Sequence, residues 1–205
     1  MLSKTFIDTL TARTKVVEQT TDAEVVTVLA PASDGYYYIP TLWAALLALL
    51  TPLLLHYLDF WFEWYDVLLT QWLVWLALSL LFQWSPIKMR LIPRNVLRTR
   101  AARYARLQFL EQGLHRTPDR LGVLLFVSLA ERYVEILTDD GVAQRIDNVV
   151  WQDMVGSFVQ RVRRGELEPG LLACLDAIGE KLAATFPPTH QDNHLPDAPV
   201  VLAEP

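Results

Sequence analysis

Three aspartates, Asp139, Asp140 and Asp147, lie close together in the second half of the chain. The first two follow an alternating apolar segment, and the third precedes a helical pattern. Carboxylates at the end of a strand and at the start of the next helix can collect around a hard cation such as Ca²⁺ or Mg²⁺. The alternative is that the first two form an ordinary turn and that Asp147 caps a helix. The spacing therefore predicts a divalent-cation site at these three residues, with local hydrogen bonding as its alternative.

Other side chains capable of chemistry stand in less favourable surroundings. His190 and His194 are four residues apart, but neighbouring prolines disfavour the helix that would bring them together, so a solvated tail is expected. His56 lies within an apolar run, where a proton relay is one interpretation and placement near the membrane surface is the favoured one. Ser128 lacks the Gly-x-Ser-x-Gly elbow of a hydrolase, and Cys174 lies in a helical core pattern. No catalytic residue is assigned.

Residues 35–87 read as a transmembrane hairpin. Two runs without Asp, Glu, Lys or Arg, of 24 and 21 residues, lie between Asp34 and Asp59 and between Asp66 and Lys88. A helix needs about 20 apolar residues to cross the hydrocarbon core of a membrane. Amphipathic aromatic rings, which favour headgroup depth, crowd the ends of both runs. They are Tyr36, Tyr37, Tyr38, Trp61, Trp64, Tyr65 and Trp84.

A pair of buried helices in a soluble core is the alternative to this hairpin. Both runs are apolar around the whole helical circumference, whereas a core helix normally keeps a polar stripe. Pro52 is expected to kink the first span, because proline cannot donate a backbone hydrogen bond. A cleaved signal peptide is not expected, since the first run begins far from Met1 and a second run follows.

Positive charge is concentrated just after the second run. Residues 88–120 carry nine basic and two acidic residues, whereas the whole chain has a net charge of −5. Positive charge marks the cytoplasmic side of a membrane span, so both termini are predicted to be cytoplasmic in an inner membrane protein. Lys88, Arg90, Arg94 and Arg98 are predicted to contact anionic lipid headgroups, the alternative being that they only set topology and solvate a helix. Nucleic acid is not an expected partner, because the block lacks interleaved aromatic residues.

The polar parts of the chain alternate between helical and strand patterns. Continuous apolar segments at 24–30 and 122–128 predict buried strands, and the alternating segment 133–138 predicts a strand nearer the sheet edge. Helical spacing of apolar residues covers 4–20, 94–112, 147–164 and 169–186. The first two strands are separated by a helical crossover, so they are expected to be parallel.

These patterns predict a small α/β sandwich that is interrupted by the membrane hairpin. Residues 1–34 supply its first helix and strand, residues 35–87 form the hairpin, and residues 88–186 complete the domain. Residues 187–205 are expected to form a C-terminal tail that either lies on the surface or is mobile.

The chain resembles the TPM-domain family, named after a thylakoid-lumen phosphatase, a photosystem II repair factor and a receptor modulator. The resemblance is carried by the first strand, by the strand pair on either side of Glu131-Arg132, and by Asp147. It continues through Arg164-Gly165-Glu166. A bacterial branch of membrane proteins, in which a hairpin splits the domain and Leu-Pro-Asp follows (here residues 195–197), is especially similar.

The resemblance implies a Rossmann-like α/β/α sandwich and an activity as an acid phosphatase, a calcium binder or an assembly factor. Asp147 matches the aspartate of the family segment that follows the edge strand. Two features differ. Familiar members place the domain outside the cytoplasm on a terminal anchor, and their Asp-Asn-Gly before the second strand is replaced by Asp119-Arg120-Leu121-Gly122.

Two functions follow from these observations. The first is a membrane-tethered interaction module that assists assembly or quality control of other membrane proteins, since few polar groups converge into a catalytic constellation. The second is a phosphatase that depends on a divalent cation bound by Asp139, Asp140 and Asp147, as the resemblance implies.

Overall fold

A computed structural model describes residues 3–57, 63–189, 195 and 198–203, and the chain divides into two compact units. The first unit comprises Met1–Ser33 and Arg100–Pro205, and the second comprises Asp34–Thr99.

A four-stranded sheet forms the centre of the first unit, with the strand order β3-β2-β1-β4. The strands are β1 (Glu24–Ala30), β2 (Gly122–Ser128), β3 (Tyr133–Thr138) and β4 (Val200–Val201). Every residue of β1 and β2 is buried, as expected for central strands covered on both faces. The predicted parallel pairing of β1 with β2 is confirmed, with Val28 opposite Phe126, whereas β3 is antiparallel to β2.

Helices cover both faces of the sheet, so the predicted α/β/α sandwich is confirmed. Alternate strand residues such as Val25 and Leu125 face a core made with α1 (Lys4–Glu18), α8 (Asn148–Arg163) and α9 (Leu167–Thr185). The residues between them, such as Val26 and Phe126, pack against residues of α6 (Arg94–Glu111), including Ala105. The two-residue alternation of a strand thus divides the core into two layers.

The second unit contains α2 (Tyr38–Ala48), α3 (Thr51–Tyr57), α4 (Trp64–Phe82), α5 (Ser85–Leu91) and the start of α6. The predicted kink is observed as an interruption between α2 and α3, just before Pro52. Because Pro52 has no N–H, it cannot donate to the carbonyl oxygen of Ala48, where α2 ends.

Two apolar helical segments of the second unit, Tyr38–Tyr57 and Trp64–Phe82, are long enough to cross a membrane. None of the described residues of α4 is buried. Its exposed side chains include Trp72 and Leu80, with exposed fractions of 64% and 69%. Water would solvate such a surface poorly, so these helices are candidates for a membrane hairpin.

Tyr36 differs from its prediction as an aromatic residue at the membrane surface. It is fully buried, and it packs with Ile39 and Ile92 in a small core of the second unit. Its backbone has a left-handed φ of 52°, and its N–H donates to Asp34 Oδ1 over 3.2 Å. Trp61 lies outside the described residues, and the other aromatic residues of the predicted set are exposed.

Two 3-10 helices, Leu114–Arg116 and Pro118–Arg120, and three other short elements were not predicted from the sequence. One is α5, which follows the second apolar helix directly. Another is α7 (Asp140–Ala143), which occupies the expected turn after β3. The third is β4, which lies within the expected tail and pairs in parallel with Val28 and Leu29 of β1.

Candidate functional site

The predicted carboxylates Asp139 and Asp140 meet a single guanidinium, that of Arg120. Arg120 Nη2 lies 2.8 Å from Asp139 Oδ1, and Arg120 Nε lies 3.3 Å from Asp139 Oδ2. The remaining nitrogen, Nη1, lies 2.5 Å from Asp140 Oδ2. The planar guanidinium thus binds one carboxylate through two nitrogens and the second carboxylate through the third, an arrangement for which arginine is suited.

The chain on either side of β2 and β3 holds these side chains together. Asp139 directly follows β3 and is 5% exposed, and its N–H donates to Gly122 O at the start of β2 over 2.9 Å. Its Oδ1 also accepts a hydrogen bond of 2.8 Å from the N–H of Asp140, at the start of α7. Asp139 therefore ties the end of β3 to the beginning of α7 and is buried because these bonds replace water.

Arg120 approaches from an unusual stretch of backbone. Both Asp119 and Arg120 have left-handed φ values, of 54° and 58°. A β-carbon on Gly141 would lie 2.2 Å from Asp119 O and 2.8 Å from Arg120 O, so only glycine fits against this turn. The close approach fixes the backbone of Arg120 beside the carboxylates.

Charge and hydrogen bonding in the cluster reinforce each other. The hydrogen bond to Asp139 and the negative charges of both carboxylates raise the pKa of Arg120 above its ordinary value. The guanidinium thus stays protonated, as arginine does throughout the range in which proteins fold.

Asp147 lies at the start of α8 and acts as its N-terminal cap. Its Oδ1 accepts a hydrogen bond of 3.1 Å from the N–H of Val149. Within the described ranges, no three or more His, Cys, Asp or Glu side chains form a group that could hold a metal ion. A metal role for Asp139, Asp140 and Asp147 therefore stays a prediction, and each carboxylate has a hydrogen-bonding role within the chain.

A second polar cluster lies at the opposite end of the strands, next to the carboxyl ends of β1 and β2. The Ser33 hydroxyl donates to Ser128 Oγ over 2.9 Å, and the Ser128 hydroxyl donates to the Glu131 carboxylate. The Ser33 N–H also donates to Glu131 Oε1 over 2.8 Å. Open α/β sheets usually bind ligands at the carboxyl ends of their strands. Here Ser128 is 1% exposed, so the cluster joins the chain beyond β1 to the turn after β2 and offers no accessible nucleophile.

Sequence reasoning did not identify Arg120, Ser33 or Glu131 as members of these clusters. One feature of the sequence could have indicated Arg120. It lies in the segment that replaces the Asp-Asn-Gly of the family, where it introduces a positive charge just before β2. Ser33 and Glu131 are 98 positions apart, so no local pattern could have related them.

The predicted lipid-contacting residues lie on α5 and the first turns of α6. Arg90, Arg94 and Arg98 are exposed. Lys88 is partly covered, because its ammonium lies 4.5 Å from the centre of the Tyr37 ring. A cation in this position is attracted by the ring face. All four basic residues belong to the second unit.

The remaining histidines and the cysteine show no grouped arrangement among the described residues. His190 and His194 lie outside these residues, and His56 is exposed in the last turn of α3. Cys174 of α9 is buried in the core that α1, α8 and α9 form with the sheet, and burial raises the pKa of its thiol to about 12. A thiol in this state is a poor nucleophile, because the thiolate is the reactive form.

Comparisons with known proteins agree with the architecture. Residues 90–181 match the family model of the TPM domain. The fold is similar to the NMR structure of BA42 protein from the psychrophilic bacterium Bizionia argentinensis, with a TM-score of 0.61 at 14% identity. That similarity covers 98% of this chain and 95% of the BA42 chain. The search of curated proteins finds no match.

The family match begins on α5 and ends within α9, so it includes β2, β3 and the cluster of Arg120, Asp139 and Asp140. Of the second cluster it includes Ser128 and Glu131, whereas Ser33 lies outside it. The other central strand, β1, lies outside the matched range. It precedes the apolar helices in the sequence and pairs with β2 in the same sheet. The resemblance stated from the sequence is thereby confirmed, and residues 90–181 of the chain match the TPM domain.

Proposed function

We propose that this chain is a membrane-anchored interaction module, in which the TPM domain assists the assembly or quality control of other membrane proteins. The observation that carries the proposal is the contrast between the two units. The second unit exposes two apolar helices that could span a membrane, whereas the first unit is a well-packed α/β sandwich.

The polar clusters of the first unit favour this role over hydrolysis. Asp139 and Asp140 are engaged by Arg120, Asp147 caps α8, and Ser128 is buried. A hydrolytic site needs a nucleophile or a metal-activated water that can reach the substrate. These side chains bind one another or backbone N–H groups instead, which suits a domain that acts through contacts with a partner.

The basic residues near α5 provide a second contact with the membrane in this proposal. Arg90, Arg94 and Arg98 are exposed immediately after the second apolar helix and would lie near headgroups if that helix spans the bilayer. Each positive charge held near an anionic membrane surface contributes about 1 kcal/mol. In the proposed orientation, both termini and the TPM domain are on the cytoplasmic side of the inner membrane.

Partner capture from a native membrane tests the proposal. The full-length chain with a terminal tag is extracted in a mild detergent, and co-purifying proteins are compared with those of a Leu125→Asp variant. Leu125 is fully buried in β2, so a charge there disrupts the sandwich and leaves the apolar helices unchanged in sequence.

The expected result is a set of membrane proteins that is recovered with the native chain and lost with Leu125→Asp. Equal recovery with both chains, or no protein above the background of an untagged strain, would contradict the proposed module. Phosphate release by the purified native chain that disappears in Asp140→Asn and Asp147→Asn would favour the hydrolase instead.

A further inference from the structure

Near the amino end of β2, the carboxylates of Asp139 and Asp140 both bind the guanidinium of Arg120. A side chain of the protein thus occupies the place between them. Asp139 and Asp140 direct three oxygen atoms at the nitrogen atoms of Arg120, over 2.5 to 3.3 Å. The buried member, Asp139, is 5% exposed. Arg120 and Asp140 are 55% and 66% exposed, so the guanidinium reaches the buried carboxylate from the surface. It is the positive partner of both carboxylates.

A divalent cation, which the family resemblance implies, does not fit this arrangement. Ca²⁺ takes six to eight oxygen ligands and Mg²⁺ takes six, each at a short distance. Arg120 stands between the two carboxylates, and Asp147 is engaged at the start of α8. The donors expected to surround a metal are therefore directed at a guanidinium and at backbone N–H groups.

The backbone keeps Arg120 in this position. The left-handed turn at Asp119 and Arg120 rests directly on Gly141, in a space where a β-carbon would clash with both carbonyl oxygens. Because Asp140 precedes this glycine, the same contact aligns the arginine and the second carboxylate. Because a short, fixed segment holds the guanidinium beside the two carboxylates, its effective concentration there is high compared with that of a cation in solution.

We propose that Arg120 is a built-in counter-ion, which takes the place of a divalent cation between Asp139 and Asp140 and keeps Ca²⁺ and Mg²⁺ out. The TPM domain of this chain is then stable without metal, and its carboxylates become available to a metal only when the guanidinium is removed. This inference is independent of the proposed interaction module, since it concerns what the domain binds rather than its partners.

Calorimetric titration with CaCl₂ and with MgCl₂ tests the proposal on the full-length chain in mild detergent, after treatment with a chelator. The native chain is expected to show no saturable binding up to about 10 mM, beyond the range of weak protein sites. Arg120→Ala is expected to gain one site with a Kd of about 1 mM or below, as for weak calcium modules. Adding Asp140→Asn to Arg120→Ala is expected to abolish it.

Two further variants separate charge from folding. Arg120→Lys keeps a positive charge beside the carboxylates and is expected to bind no metal. Arg116→Ala removes another exposed arginine, which lies four residues upstream, and is expected to behave as the native chain.

Two results would overturn the proposal. One is a folded Arg120→Ala that binds neither cation. The other concerns the native chain, with Arg120 in place. It is saturable binding of either cation, or a rise of the thermal midpoint with CaCl₂, when that effect is lost in Asp140→Asn. The second result decides the matter even where Arg120→Ala fails to fold.

Discussion

Gly179 of α9 lies against Val17 of α1, so close that a β-carbon on the glycine would stand 2.6 Å from Val17 Cγ2. Both residues are buried in the core on the same face of the sheet. The absence of a side chain at Gly179 thus sets how closely these two helices approach.

Gly179→Ala is expected to lower the stability of the first unit by about 1 to 3 kcal/mol, because the added methyl group forces the helices apart. Gly156→Ala is the matched control. Gly156 lies on α8, and a β-carbon there would meet no atom within 4 Å. This control is expected to gain up to about 1 kcal/mol from the higher helix propensity of alanine. Thermal unfolding of the full chain in detergent measures both changes.

Val17→Ala in the Gly179→Ala background checks the mechanism, because it removes the two methyl groups that the new side chain would meet. The double variant is expected to lose less stability than the sum of the two single variants. Strict additivity would show that the contact between Gly179 and Val17 does not limit the packing.

Cys174 is expected to stay unreactive toward thiol reagents at about pH 8, since its side chain is buried and its pKa is raised to about 12. Denaturation should release one reactive thiol. The raised pKa also makes stability depend on pH. The buried thiol contributes fully to the free energy of unfolding below about pH 9, where an exposed thiol titrates. This contribution falls as the pH rises toward about 12.

Cys174→Ala removes this titration and is therefore expected to flatten the loss of stability between about pH 9 and pH 12. Denaturation midpoints of both chains across that interval provide the measurement. Identical slopes for the two chains would contradict the assigned cause.

The proposed orientation predicts the labelling of two introduced cysteines in sealed spheroplasts of a bacterial host. Ser157→Cys is on the exposed surface of α8 and is expected to react with a membrane-impermeant reagent only after the membrane is opened. Glu63→Cys, which precedes α4, is expected to react at once. The native chain is the control, because Cys174 is buried. The reverse pattern would place the TPM domain outside.

The exposed arginines near α5 are expected to retain anionic lipid. Changing Arg90, Arg94 and Arg98 to glutamine should reduce the anionic phospholipid that co-purifies in mild detergent, since each charge contributes about 1 kcal/mol. Native mass spectrometry counts the bound lipids.

Changing Arg161, Arg163 and Arg164 to glutamine is the matched control, because it removes three exposed positive charges at the end of α8. Equal lipid loss in both triple variants would indicate a general effect of net charge rather than a site near the apolar helices.

The strands could be predicted from the sequence because their signals are local. The segments that form β1, β2 and β3 are apolar or alternating and are bounded by turn residues, and the structure has the predicted limits. By contrast, β4 has two residues in a proline-rich segment, and it is a strand only because it pairs with Val28 and Leu29. Its formation depends on tertiary contact, which periodicity does not report.

The same distinction applies to the polar clusters. The cap at Asp147 was foreseen as an alternative, because capping involves neighbours along the chain. The pairing of Arg120 with Asp139 depends on the antiparallel register of β2 and β3, which brings together residues 19 positions apart. Tyr36 is a further example, since its burial depends on Ile92, far along the chain.

The pairing of β1 with β2 has a consequence for synthesis of the protein. Residue 24 pairs with residue 122, so β1 leaves the ribosome about 100 residues before its neighbour. At translation rates of about 5 to 20 residues per second, this delay lasts roughly 5 to 20 s. Both apolar helices are synthesised within that interval. The nascent chain must therefore keep an apolar strand from aggregating while the helices are made, and the sandwich can close only afterwards.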